Sequence, residues 1–173
     1  MMRRWMNGFI AMLLLLPFSN LAEAALKLEE IVIDPMTLPA DCQARVPSKE
    51  EAGGADLPGE FPYVTSDKEF IASMSGLVFG EEMDFSKVEK ALFAGYVDWD
   101  DVSKEIGIWG WQFHNSQEAE AALQKALQFQ NPFVDEEGKK GLARKDNILF
   151  FLWFDSTVSD ACMQAFRKRV PTT

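Results

Sequence analysis

The chain has few of the residues from which enzyme sites are most often built. Among its 173 residues are only two cysteines, one histidine and two tyrosines. Two cysteines and one histidine cannot form a four-ligand zinc site without help from carboxylates. The sequence also lacks a G-x-S-x-G elbow, an H-E-x-x-H pair and a P-loop, so it does not support the enzyme classes that carry those motifs. We therefore expect neither a metal site nor a cofactor.

Positive charge is scarce as well. Lysine and arginine number 17 against 27 aspartates and glutamates, which gives a formal net charge of −10. Nucleic-acid binding depends on neutralising phosphates with cations, and docking on an anionic lipid surface has the same requirement. The composition therefore argues against both kinds of partner. The acidity itself favours a soluble protein.

Apolar runs long enough to span a bilayer are also missing. The run over residues 9–16 is about half of the ~20 residues that a membrane helix needs. It follows Arg3 and Arg4 and precedes the Ala-Glu-Ala of residues 22–24, which is the order typical of a secretory signal. We expect residues 1–24 to be removed as a signal peptide, leaving a periplasmic or secreted protein with no stable membrane anchor. An uncleaved N-terminal anchor is the alternative.

Export determines how the two cysteines are interpreted. Cys42 and Cys162 do not have the C-x-x-C spacing of a redox pair. In an oxidising compartment, an isolated pair of cysteines is most simply a disulfide. We predict one structural bond that ties the N-terminal part of the domain to its last helix. The chain-entropy model assigns such a long loop closure about 4–5 kcal/mol.

Residues 25–173 are predicted to form one domain of the α+β class. Residues 25–65 are expected to hold a strand over 26–33 and then a long loop rich in proline and glycine, and residues 66–173 to form the α+β core. Capping residues and helical spacing predict helices over 66–80, 86–95, 118–128 (capped by Asn115 or Ser116) and 159–170. Apolar patterns predict strands over 105–114 and 147–154. This order predicts one β-sheet with helices packed mainly on one face, for which a ferredoxin-like arrangement is one form.

Aromatic residues give the best candidate for a binding site. Trp109, Trp111 and Phe113 alternate along one side of the strand predicted at 105–114, and Trp153 of the second strand is expected to share that side. The predicted helices cover only one face of the sheet, so the other face needs a cover. We expect either that the loop over 34–62 covers these rings as core, or that they bind an apolar ligand, a protein partner or a second copy of the chain.

The single histidine supports a different class of function. His114 follows the first of these strands, and together with the acidic run Asp98–Asp101 it could serve a small hydrolase-like enzyme. The simpler interpretation is a half-exposed residue at the end of a strand, because the sequence places no nucleophile or orienting carboxylate beside it. The acidic run also lacks the spacing of a calcium-binding loop. The sequence therefore favours an exported, non-enzymatic binding or accessory protein, with the hydrolase as the alternative.

A mass measurement on the exported protein tests the predicted processing and the predicted disulfide together. After expression of the full chain with its own N-terminus in a bacterial host, the intact mass should correspond to residues 25–173. Without reduction, the protein should react with no thiol reagent, because both cysteines are bonded. A retained N-terminus would indicate the anchor, and two reactive thiols would contradict the disulfide.

Overall fold

The computed structural model of the chain describes residues 26–39, 42, 44–48, 50–51, 61–80, 83–102, 104–128, 141–155 and 158–170. The predicted signal peptide, residues 1–24, lies outside the described residues, and so do residues 52–60 of the predicted loop. The described strands are β1 (Ala44–Arg45), β2 (Tyr63–Thr65), β3 (Val88–Asp98), β4 (Glu105–Phe113), β5 (Leu142–Lys145) and β6 (Ile148–Phe154). The described α-helices are α1 (Lys68–Phe79), α2 (Ser116–Gln128) and α3 (Asp160–Arg167), and two 3₁₀ helices span Leu28–Ile31 and Pro35–Thr37.

The strands form one antiparallel sheet in the order β1-β3-β4-β6-β5, and β2 pairs with the same edge of β3 as β1 does. One sheet with its helices in a single domain, closed by one disulfide, confirms the predicted α+β class. After α2, the chain enters β5 and returns as β6 between β5 and β4, so this half has a split β-α-β arrangement. β2 instead pairs directly with β3, so the first half is not split and the fold departs from a ferredoxin-like unit.

Most of the predicted core elements are confirmed, and their ends follow the capping residues. The strands predicted at 105–114 and 147–154 are β4 and β6. The helix predicted over 66–80 is α1, although its N-cap is Asp67, one residue later than the capping box indicates. It ends at Gly80, whose φ of 67° suits glycine. α2 and α3 follow Asn115 and Ser159, and each of these side chains accepts the backbone N–H of the residue three positions later, Glu118 and Cys162 respectively.

The strand predicted over residues 26–33 is wrong. Residues Leu28–Ile31 form a 3₁₀ helix instead. Leu28 and Ile31 are both buried in the same cluster, and a spacing of three places two side chains on one side of a helix with three residues per turn. The apolar residues of this segment therefore follow the period of that helix rather than the alternation of a strand.

The short helix predicted over residues 86–95 is also wrong. Ser86 lies in a turn, and β3 begins at Val88. The Ser86 N–H is taken by the carboxylate of Asp84, 2.9 Å away, so it does not join a capping box with Glu89. From Val88 to Val97, β3 pairs with β4 along almost the whole length of both strands. Pairing with a neighbouring strand here overrides the local helical pattern.

Both faces of the sheet are covered. On the first face, α1 and α2 pack against a cluster that includes most of the aromatic side chains of β3, β4 and β6. On the second face, the N-terminal segment and α3 pack against a more aliphatic cluster from the same strands. Two of the three described α-helices therefore share one face, which agrees with the prediction.

Two long-range links hold the cover of the second face in place. The predicted disulfide is confirmed: Cys42 and Cys162 are bonded, with their Cα atoms 4.7 Å apart, and both residues are buried. The backbone N–H of Ile33 donates to the hydroxyl of Tyr96 at 3.0 Å in a buried position. The Tyr96 ring also packs edge-on against Phe166 of α3, with 5.1 Å between centroids. The N-terminal segment, β3 and α3 are thus joined at one place.

Tyr96→Phe tests the contribution of the buried hydrogen bond. The substitution keeps the ring that packs on Phe166 but removes the acceptor of the Ile33 N–H. Because a buried donor then loses its partner, the free energy of unfolding should fall by about 1–3 kcal/mol, as measured by urea denaturation. Tyr63→Phe, at a half-buried tyrosine, is the matched control and should cost less. Equal losses in the two variants would contradict the role given to Tyr96.

Candidate functional site

The strand aromatics proposed from the sequence are core residues. Trp109, Trp111 and Phe113 are 8%, 0% and 2% exposed. The indole N–H of Trp111 donates to the hydroxyl of Ser75 in α1 at 2.7 Å, and the same ring packs edge-on against Phe79 at 5.3 Å. A ligand or second subunit would contact Trp109 and Trp111 only after α1 and α2 had moved, whereas the edge of Phe113 lines a pocket beside α2.

The cover of these rings differs from the one expected. Among the described residues, α1 and α2 lie on this face, and the loop over 34–62 contributes Phe61 to it. The part of that loop around Cys42 and Ala44 packs on the opposite face. The sequence indicates which side chains share a face, but it does not indicate which segment covers them.

Trp153 is half-buried and lies at the end of the same face near the β3–β4 turn. It is paired with Gly107 across β4 and β6, and a Cβ at Gly107 would overlap its indole. Gly95 lies on the other side of Gly107, and the ring of Phe61 is 3.8 Å from where its Cβ would be. Two aromatic rings, Trp153 and Phe61, therefore cover two neighbouring glycines at this end of the sheet.

His114 lies at the opposite end of β4. Its Nδ1 is 2.9 Å from Oε1 of Glu89, and the two side chains are 78% and 48% exposed. Through this hydrogen bond and its charge, the Glu89 carboxylate raises the pKa of His114. The run Asp98–Asp101 lies at the other end of the β3–β4 hairpin, roughly 30 Å away for a strand of this length. The structure therefore does not bring together the two halves of the hydrolase site that the sequence suggested.

A groove lies beside the β3–β4 turn and was not predicted from the sequence. It is an open groove with a volume of about 640 Å³, a size found among small-ligand sites. We call it the hairpin-end groove. It is lined by Arg45, Val46, Pro47, Ser48, Glu51, Phe61 and Trp99.

The turn holds Trp99 out of the core. The Asp98 N–H donates to the carbonyl of Lys104 at 3.2 Å, and Oδ1 of Asp98 accepts the N–H of Asp100 at 2.9 Å. The N–H of Lys104 also donates to the carbonyl of Asp101 at 3.0 Å. This closed turn leaves Trp99 65% exposed. A tryptophan among three aspartates is the one sequence signal that could have indicated this position.

Arg45 connects the turn to the rest of the groove. β1 pairs with the end of β3, with Arg45 opposite Val97. The guanidinium carbon of Arg45 is 5.4 Å from the centroid of the Trp99 ring, within cation–π range. Its two terminal nitrogens donate to the two carboxylate oxygens of Glu51 at 2.7 and 2.6 Å. This planar two-point contact holds the guanidinium in one orientation.

Glu51 is the most strongly perturbed carboxylate of the groove. The hydrogen bonds from Arg45 lower its pKa first, and the N–H of Ser48, 2.8 Å from Oε2, lowers it further, to about 2. The same pairing raises the pKa of Arg45. Both groups are therefore charged and satisfied by each other over the whole physiological pH range.

Comparisons with known proteins give no relative. No family model, no curated protein and no solved structure matches the chain. Among the described residues, no three or more His, Cys, Asp or Glu side chains are grouped so that they could hold a metal ion. None of the described helices has the length and hydropathy of a membrane span. Function must therefore be inferred from the described residues themselves.

The Arg45–Glu51 pair predicts a specific acid titration. The pKa of Glu51 falls from its ordinary 4.5 to about 2 on folding, so the unfolded chain binds this proton more readily. The contribution of the ionised Glu51 carboxylate to the stability of the fold is complete above pH 4.5 and is lost as the pH falls through about 2. When the carboxyl carbon of Glu51 is followed by NMR, the midpoint of its titration should lie near pH 2. In Arg45→Gln the midpoint should move back toward 4.5. A midpoint near 4.5 in the unsubstituted protein would contradict the pairing.

Proposed function

We propose that the chain is an exported, non-enzymatic binding or accessory protein, and that the hairpin-end groove is its recognition surface. The observation that carries the proposal is the position of Trp99. Trp99 is 65% exposed, yet the closed turn fixes the backbone on either side of it and Arg45 lies over its ring. Exposed tryptophans in preorganised positions are frequent anchors of binding sites, because they bury a large area at a small entropic cost.

The rest of the groove has the mixed lining that binding sites use. Phe61, Val46 and Pro47 provide apolar surface, and Arg45 and Glu51 provide fixed polar groups. Since the polar groups are held by each other, they lose little conformational entropy when a ligand arrives. The groove is therefore suited to recognition with little rearrangement.

Support for a non-enzymatic protein comes from His114. Its side chain is 78% exposed and is paired with Glu89, which is itself half-exposed. General acid–base catalysis needs a group held against the reacting atoms and shielded from bulk water. A hydrogen-bonded pair on the open surface meets neither condition.

Support for export comes from two independent features. The first 24 residues have the charge and apolar pattern of a secretory signal. The chain also holds a buried disulfide, which is typical of proteins that fold in an oxidising compartment. A periplasmic or secreted location accounts for both.

A peptide-display screen tests the recognition surface. Residues 25–173, immobilised with the disulfide intact, should enrich binders from a random-peptide library, and Trp99→Ala should weaken those binders by about thirty-fold, the loss typical of an interface anchor. Leu77→Ala is the matched control, because Leu77 of α1 is 64% exposed but does not line the groove. The affinity of the selected peptides should be the same for Leu77→Ala as for the unsubstituted protein. A screen without binders, or binders that survive Trp99→Ala, would contradict the proposal.

A further inference from the structure

We infer that the hairpin-end groove recognises a basic segment of another protein, with an arginine or lysine side chain stacked on the part of the Trp99 ring that Arg45 leaves free. This inference rests on the proposed binding function and adds the chemistry of its ligand. It depends on the charge around Trp99 and on a contact that the chain makes with itself.

The internal contact indicates what the Trp99 ring accepts. The Arg45 guanidinium lies 5.4 Å from the ring centroid, and tryptophan is the side chain that binds cations best through its ring face. The side chain nevertheless remains 65% exposed. The uncovered area has the same electronic character, so a second guanidinium or ammonium group is its natural partner.

Arg45 does not repel such a ligand. Both of its terminal nitrogens are bonded to the Glu51 carboxylate, so the pair is close to neutral as seen from the groove. A cation approaching Trp99 is therefore not opposed by an uncompensated positive charge.

Three aspartates flank Trp99 in the turn. Trp99 lies between Asp98 and Asp100, and Asp101 follows; Asp100 is exposed. The turn also carries one cation, Lys104, whose Nζ is 3.9 Å from Oδ2 of Asp101. The local charge is thus negative, and it agrees with the net charge of −10 of the whole chain. Such a field steers a basic partner toward the groove and raises its association rate.

The same charge separates this occupant from the alternatives. A second copy of the chain would bring its own net charge of −10 against the first, which opposes association. A neutral proline-rich segment could stack on Trp99 but would not use the aspartates. A basic segment uses both the ring and the carboxylates.

Defined peptides test the inference. The probes are an eight-residue glycine–serine peptide with two arginines, the same peptide with citrulline in place of arginine, and a proline-rich peptide without charge. Citrulline keeps the shape of arginine and removes its charge. Binding to oxidised residues 25–173 is measured by calorimetry at low and at physiological salt.

The arginine peptide should bind at least tenfold more tightly than the citrulline peptide, and its affinity should fall as salt rises. Trp99→Leu, which keeps apolar area but has no ring, should weaken binding about tenfold, whereas Trp99→Phe should retain part of it. Asp100→Asn should weaken binding about two- to five-fold. Glu30→Gln removes one exposed charge from the distant N-terminal 3₁₀ helix and should have no effect.

The results separate this inference from the proposed function. The inference would be overturned if the arginine and citrulline peptides bound equally, or if the proline-rich peptide bound more tightly. Display binders that depend on Trp99 would still support the proposed recognition surface in that case. If no display binder depends on Trp99, the proposed function fails first. Near-ultraviolet circular dichroism and thermal unfolding of each variant confirm that the fold is intact, which the exposure of Trp99 and Asp100 leads us to expect.

Discussion

The bond between Cys42 and Cys162 is the constraint on which the rest of the structure depends. It joins two segments that are 120 residues apart in the chain, and both of them cover the second face of the sheet. Neither segment is large: α3 has eight residues, and the described residues between 26 and 45 form two short 3₁₀ helices and the two-residue β1. Isolated helices of this length are marginal in water, so the covalent link and the apolar contacts beneath it have to hold them on the sheet together.

The same bond determines where the groove forms. Cys42 is two residues before β1, a strand of only two residues that pairs with the end of β3. So short a strand has little stability of its own, and its position follows from the tether. Arg45 is its last residue and reaches Trp99 and Glu51 from there. The candidate site is thus coupled to the disulfide through the backbone, although neither cysteine lines it.

Segments with their own periodicity and caps are predictable from this sequence, and segments defined by tertiary pairing are not. The capping side chains of Asn115 and Ser159 predict α2 and α3 because the cap is a local interaction. The start of β3 shows the opposite case, since residues 86–95 fit a helix locally, while pairing with β4 makes a strand of the segment from Val88 onward. The burial of Trp111 follows from the pattern of β4, but the helices that cover it do not. Arg45 is the extreme case, because nothing near it in the sequence indicates that it will meet Trp99.

The four tryptophans that the structure describes divide by what surrounds them, and this division is the physical reason to place function at the turn. Trp109, Trp111 and Trp153 are explained by packing: helices cover the first two, and the third covers Gly107. Trp99 is not explained in this way, because the guanidinium of Arg45 lies over its ring and most of its surface faces water. A small polar residue would close the same turn, since the hydrogen bonds that hold it are made by the backbone and by the Asp98 carboxylate. An indole at this position therefore contributes little to folding, whereas its area and its ring electrons are the properties that recognition of a cationic partner requires.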